Sequence, residues 1–191
     1  MRSVHLMLLA VPFVAAVSAC SPPPPPAPPP PPPPSTAVTT SLKVVSDIAK
    51  DDVMKSVAMV PQAKLSFQAT KEVRTFGQLF GHIADSNYFF CATAKGEKAP
   101  DSQAEKLTKT ADLKKALADS FAYCDAVFAS LNDTTGAAMV KVEGLDVTKL
   151  AAMSFNTAHN FEHYGNIVTY MRLNKMVPPS SQPPPTPPAG K

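Results

Sequence analysis

The sequence predicts an all-α domain, a bundle of four helices between proline-rich segments, from three observations. Its 22 prolines are unevenly placed: twelve fall in residues 22–34 and seven between Pro178 and Pro188. The interval from Thr36 to Val177 keeps only Pro61 and Pro100, which leaves a domain of about 140 residues with one hydrophobic core. Within it, apolar residues recur every three or four positions in four stretches, and no stretch alternates convincingly as a half-buried strand does.

The first helix is expected over residues 41–60, with Leu42, Val45, Ile48, Ala49, Val53, Val57 and Val60 on one side and Pro61 ending it. The second follows Thr70 as N-cap and carries Val73, Phe76, Leu79, Phe80, Ile83, Phe89 and Phe90 as far as Gly96. The third runs from Thr110 to Leu131 through Leu113, Leu117, Phe121, Cys124, Val127 and Phe128, and "NDTTG" stops it. The fourth is capped by Thr148 and closed by Pro178 and Pro179. The loops at 93–110 and 132–147 are long for antiparallel hairpins and suit a bundle with a crossover.

Outside that domain, residues 1–19 read as a secretory signal: Arg2, then an apolar run from Leu6 to Val17, then Ser18 and Ala19. The run is too short for a permanent membrane span. Val17-Ser18-Ala19-Cys20 resembles the bacterial lipobox, in which cleavage precedes a cysteine whose sulfur takes a diacylglycerol. The alternative is ordinary cleavage after Ala19, with Cys20 left as a free thiol. The lipoprotein reading gives Cys20 a use as a tether ahead of the polyproline spacer in residues 20–35. That spacer extends as polyproline II, at about 3.1 Å per residue. Residues 178–191 form a second proline-rich segment. A bacterial envelope location facing the periplasm is expected, and Ser21 after the cysteine, rather than aspartate, resembles outer-membrane sorting.

Of 18 basic residues, removal of Arg2 with the signal leaves 17 against 15 acidic ones. There is no basic run, no interleaved stacking aromatics and no glycine-rich phosphate loop, so nucleic acid is not an expected partner. The expected partners are the membrane through the lipid, an unidentified small-molecule ligand and a second copy of the chain.

The chemistry concentrates in "FNTAHNFEHYGN", residues 155–166. Four residues of helix advance about 6 Å and turn about 400°, so His159 and His163 share a face and converge on one point. With His82 they are all the histidines that remain after the signal. A lone histidine on an apolar face is usually a satisfied core residue. Three from two facing helices, with none elsewhere, instead form a facial set for a borderline divalent ion such as zinc or nickel. Asp85, three residues after His82, is a catalytic candidate, either accepting a hydrogen bond from an imidazole or acting as a base on bound water. The alternative for it is a surface carboxylate. Glu162 lies about 100° round the helix from His163 and is off the ligand face. Tyr88, Tyr164 and Tyr170 are either pocket lining or core, and Arg172 suits the negative end of its helix.

"RTFGQLFGHIADSNYFFCATAKGE", followed about 70 residues later by "FNTAHNFEHYGNIVTYMRLNKMVPPSS", resembles the DinB/YfiT-like family over about residues 41–181. The resemblance implies an up-down-down-up bundle holding a divalent metal through His82, His159 and His163. The family includes thiol-dependent transferases and isomerases in which the metal activates a small thiol as thiolate, chemistry consistent with the depressed pKa of metal-bound thiols. A metal-dependent enzyme, hydrolase or thiol-dependent transferase, a non-catalytic metal-binding or interaction lipoprotein, and a metal-free bundle that has inherited the histidines are all compatible with the residues, and the histidine set favours metal. With Cys20 committed to lipid, Cys91 and Cys124 form an even pair in an oxidising compartment. Parallel second and third helices would bring them level as a disulfide; the alternative is two buried thiols.

Overall fold

The apolar stripes produce four long helices in the computed structural model, which describes residues 31–183. In chain order the elements are α1 Ala37–Met59, α2 Phe76–Lys95, α3 Thr110–Ser130, the single turn α4 Asp133–Gly136, strands β1 Met139–Val142 and β2 Leu145–Thr148, and α5 Lys149–Leu173. Among the described residues, those from Pro33 on form one compact unit. Among the described residues no helix is long and apolar enough to cross a membrane.

Side-chain pairs fix the directions. Asn87 bonds Ser120 and Cys91 bonds Cys124, a constant offset that makes α2 and α3 parallel. Asn160 meets Asn87 while Asn156 meets Cys91, so α5 runs against α2. Thr39 meets Asp133 just beyond α3, and Gln62 just beyond α1 meets Thr110, so α1 runs against α3. The topology is up-down-down-up, with residues 96–109 returning the chain to the starting end of α2.

Two core clusters result. One, rich in aromatics, gathers Phe76, Phe80, Phe121, Tyr164 and Tyr170 at the end where α2 and α3 begin. The other gathers Cys91, Cys124, Val127, Phe128, Val142 and Met153 at the opposite end. A buried polar layer of Asn87, Ser120 and Asn160 lies along the chain between them.

Several expected boundaries shift. α2 starts at Phe76, not after Thr70: Thr75 accepts from the Gln78 amide N–H while the Gln78 side chain accepts from Thr75 N–H, a reciprocal cap that Thr70 lacks. Val73 is consequently outside the helix and exposed. In α1 the buried stripe is Thr39, Ser46, Ala49, Val53, Ser56 and Val57, one position round from Val45 and Ile48, which are exposed. α5 ends at Leu173, ahead of the proline pair, with Lys175 in the left-handed region. The segment beyond it packs on the bundle: Tyr164 Oη donates to Ser180 Oγ at 2.8 Å and accepts from Ser180 N–H at 3.1 Å.

The segment 132–147 also holds structure the periodicity did not reveal. Asn132 caps α4, and "MVKVEGLDVT" forms a hairpin whose two turn residues, Glu143 and Gly144, have φ of 49° and 86°. Two left-handed residues in a two-residue loop match strand twist, and glycine takes the second without penalty.

Candidate metal centre

α2 and α5 run antiparallel with His82 on one and His159 and His163 on the other, so all three rings meet in their interface. One ring nitrogen from each lies within 4.8 Å of the other two. His159 Nε2 and His163 Nε2 are 3.1 Å apart, and the His82 ring centroid is 5.1 and 4.8 Å from theirs. His163 is buried and the other two half-buried.

Burial pushes all three imidazoles below their ordinary pKa, His159 to about 4; the charge of Arg74 adds to the effect at each, and neighbouring histidines add to it at His159 and His163. They are therefore neutral at pH 7 and carry the lone pairs a metal requires. With bonds of about 2.0–2.1 Å, two nitrogens on one ion sit roughly 3.0–3.4 Å apart. The 3.1 Å gap between His159 and His163 fits that spacing. An all-imidazole set suits zinc or nickel.

The surroundings orient the rings. His82 Nδ1 faces Glu105 Oε2 at 3.2 Å, which turns its Nε2 toward the other two rings. Asn166 Nδ2 meets His163 Nδ1 at 3.3 Å. His159 Nδ1 is buried without a partner among the described residues. Asp85 does not reach an imidazole. Its Oδ1 accepts from Ser102 Oγ and from Ala104 N–H at 2.8 Å, and its Oδ2 accepts from Glu105 N–H at 3.0 Å. Its role is to hold the 102–105 backbone against α2, and the carboxylate at the site is Glu105 instead.

Gly81 makes that approach feasible: a Cβ there would lie 2.3 Å from Ala104 O and 2.5 Å from Glu105 Cα. Glu105 was not readable in the sequence, since it lies 23 residues from His82 in a single 3-10 turn, Ala104–Lys106, between the helices; Gly81 and Asp85 beside the histidine are the signals that bear on it. Arg74 was also missed. Its Nε donates to Glu105 Oε1 at 2.9 Å, and its carbonyl accepts from Tyr170 Oη at 2.8 Å. Of the three tyrosines considered, Tyr170 lines the cavity beside His163, Tyr164 holds Ser180 and Tyr88 packs on Tyr123. Glu162 is exposed.

Away from the histidines, Cys91 and Cys124 are bonded, with Cα atoms 5.3 Å apart. The Asn156 amide sits 3.6 Å from each sulfur. Cys20 lies outside the described residues.

No curated protein matched the sequence. Among solved structures, a DinB-like protein from Bacillus cereus superposes with a TM-score of 0.64 at 14% identity, covering 73% of this chain and 95% of that one. A DinB-like protein from Bacillus subtilis gives 0.57 at 17% identity, covering 78% and 100%. A mycothiol-dependent maleylpyruvate isomerase gives 0.58 at 14% identity, covering 68% of this chain and 60% of that one. These likenesses establish the fold. The sequence matches the family model of the DinB superfamily over residues 47–167, a span that includes all three histidines, and the chain belongs to that superfamily.

Proposed function

We propose that this chain is an envelope-tethered DinB protein that binds one divalent ion, zinc or nickel, through His82, His159 and His163, and acts on a small molecule there. The observation that carries the reading is the convergence of three neutral imidazoles, two of them 3.1 Å apart at Nε2, in the interface of α2 and α5. When bound, the ion supplies Lewis acidity, and its remaining positions admit water or a thiol.

The chain's own residues do the rest. Glu105 holds His82 in one tautomer, and Asn166 holds the His163 ring. A cavity of about 540 Å³, lined by Arg74, Gln78, Glu105, His163 and Tyr170 among others, brings a ligand to the histidine face. This access favours a reaction or ligand exchange over a purely structural ion. The neighbour that is a mycothiol-dependent isomerase supports a thiol-dependent reaction, and bound water would give hydrolysis instead.

Cys20 is the proposed lipid attachment, which places the domain on the periplasmic side of a membrane behind the polyproline spacer. Cys20→Ser should release the protein from membranes or leave the signal uncleaved; unchanged processing and retention would refute the anchor.

Elemental analysis of the mature Cys20→Ser chain, purified without a metal-affinity tag, tests the centre. One zinc or nickel per chain is expected, with strong loss in each of His82→Ala, His159→Ala and His163→Ala at near-constant helicity. Full stoichiometry in the triple variant would place the ligands elsewhere. With cobalt(II) in the site, a thiolate charge-transfer band on adding a small thiol supports transfer, and its absence supports hydrolysis.

A further inference from the structure

The geometry points to a two-point site for a small carboxylate, in which Arg74 grips the ligand's oxygens while another of its donor atoms faces the histidine cluster; we propose this as the substrate class. It rests on the metal reading above and refines it.

Arg74 is held in place from three sides. It directly precedes the reciprocal cap formed by Thr75 and Gln78, so its backbone is fixed at the start of α2. Its carbonyl accepts from Tyr170 Oη, and Tyr170 is itself wedged edge-on against Phe67 and Phe76. Its Nε is committed to Glu105 at 2.9 Å. Among the described residues neither Nη group has a hydrogen-bond partner, although the side chain borders the same cavity as His163. A guanidinium with Nε engaged still presents its end-on pair of parallel N–H donors, the fork that matches a carboxylate.

Glu105 links this fork to the ligand set. One of its oxygens takes Arg74 Nε and the other faces His82 Nδ1. The cation is close enough to depress the pKa of all three histidines. The charges decide when a carboxylate is welcome. Glu72 and Glu105 against Arg74 leave the cavity lining at net −1, and a divalent ion at the neutral histidines brings the region to +1. Carboxylate binding should therefore follow metal binding. Linkage requires the converse, that the carboxylate tightens the metal by the same factor.

The test uses the mature Cys20→Ser chain and succinate as the probe. Zinc affinity is measured by competition with a chromophoric chelator calibrated in the same succinate buffer, and the visible spectrum of the cobalt(II) form is followed on titration. Saturating succinate should raise zinc affinity about tenfold or more and shift the cobalt bands. Arg74→Gln should still bind zinc but lose the succinate effect, read against its own succinate-free affinity, and Arg74→Lys should keep part of that effect. An Arg74 that only props up Glu105 would change zinc affinity and leave the succinate effect intact, which would overturn the inference, as would a response to inorganic phosphate with none to succinate. Zinc binding without succinate coupling removes this inference and leaves the metal reading standing; absence of any bound metal removes both.

Discussion

At the end where the chain enters the bundle, a covalent bond joins α2 to α3 and the Asp133 carboxylate clamps the first turn of α1, whereas at the histidine end the 101–106 segment lies across α2 with no covalent tie, held by the buried Ala104 against Gly81 and by hydrogen bonds to Asp85 and Arg74. Asp133 accepts from Ser35 Oγ, from Thr39 N–H and Oγ1 and from Val38 N–H, which holds its own carboxyl down to about 2. The second end instead borders cavities of about 950 and 540 Å³ that share Gln78 and Glu105. The covalent tie and the carboxylate clamp lie where no chemistry is proposed, and the histidine end, which rests on the aromatic core, is left open enough to exchange a ligand. Elements that move for binding come from the low-stability part of a fold.

The comparison breaks most directly at the disulfide. A Cys91→Ala, Cys124→Ala double variant should lose roughly 3–4 kcal/mol on the chain-entropy account, about 10–15 °C in Tm for a domain this size, while zinc uptake stays near one per chain. Equal losses of stability and metal would show that the two ends are not separable. Gly81→Ala attacks the other end. The new methyl meets loop backbone, so a cost of about 1–3 kcal/mol is expected. Zinc affinity should also fall at least tenfold as Glu105 leaves His82, and calorimetry with a zinc competition assay reads both. Unchanged zinc affinity would separate the loop from the centre.

Acid should sharpen the contrast in the metal-free protein. Histidines with pKa values below 6.5 in the fold bind fewer protons than the unfolded chain, so their contribution is full above pH 6.5 and shrinks as pH falls toward 4. Urea midpoints of the metal-free chain should drop between pH 6.5 and 5, and the slope should be shallower in His159→Gln. The smallest effect is expected for Asp133→Asn, a loss of a few degrees in Tm with zinc uptake untouched. A larger loss, or any change at the centre, would mean the clamp reaches the whole bundle.

The sequence made the helices and histidines legible for the same reason: both are periodic. Leu113, Leu117, Phe121, Cys124, Val127 and Phe128 are all buried as their spacing predicts, and H-x-x-x-H places two rings on one face whatever surrounds them. Glu105, Arg74 and the true role of Asp85 depend on which loop crosses which helix, a non-local fact that no period encodes. The hairpin was legible in principle, through Glu143 and Gly144 between two short β-rich runs. The displaced stripe in α1 was not. There Thr39, Ser46 and Ser56 are buried in place of larger neighbours, and small residues carry little hydrophobic signal.

The clamp at Asp133 also sets how the domain answers a mechanical load. A pull on the proline segment arrives at Ser35, where the Ser35 carbonyl and hydroxyl are both tied to Asp133. Tension therefore divides between the first turn of α1 and α4, and from α4 it passes to α3, which is riveted to α2 at Cys124. α5, with two of the three histidines, joins the far side of the hairpin and lies off that path. Force sufficient to peel the first turn of α1 would reach His159 and His163 last.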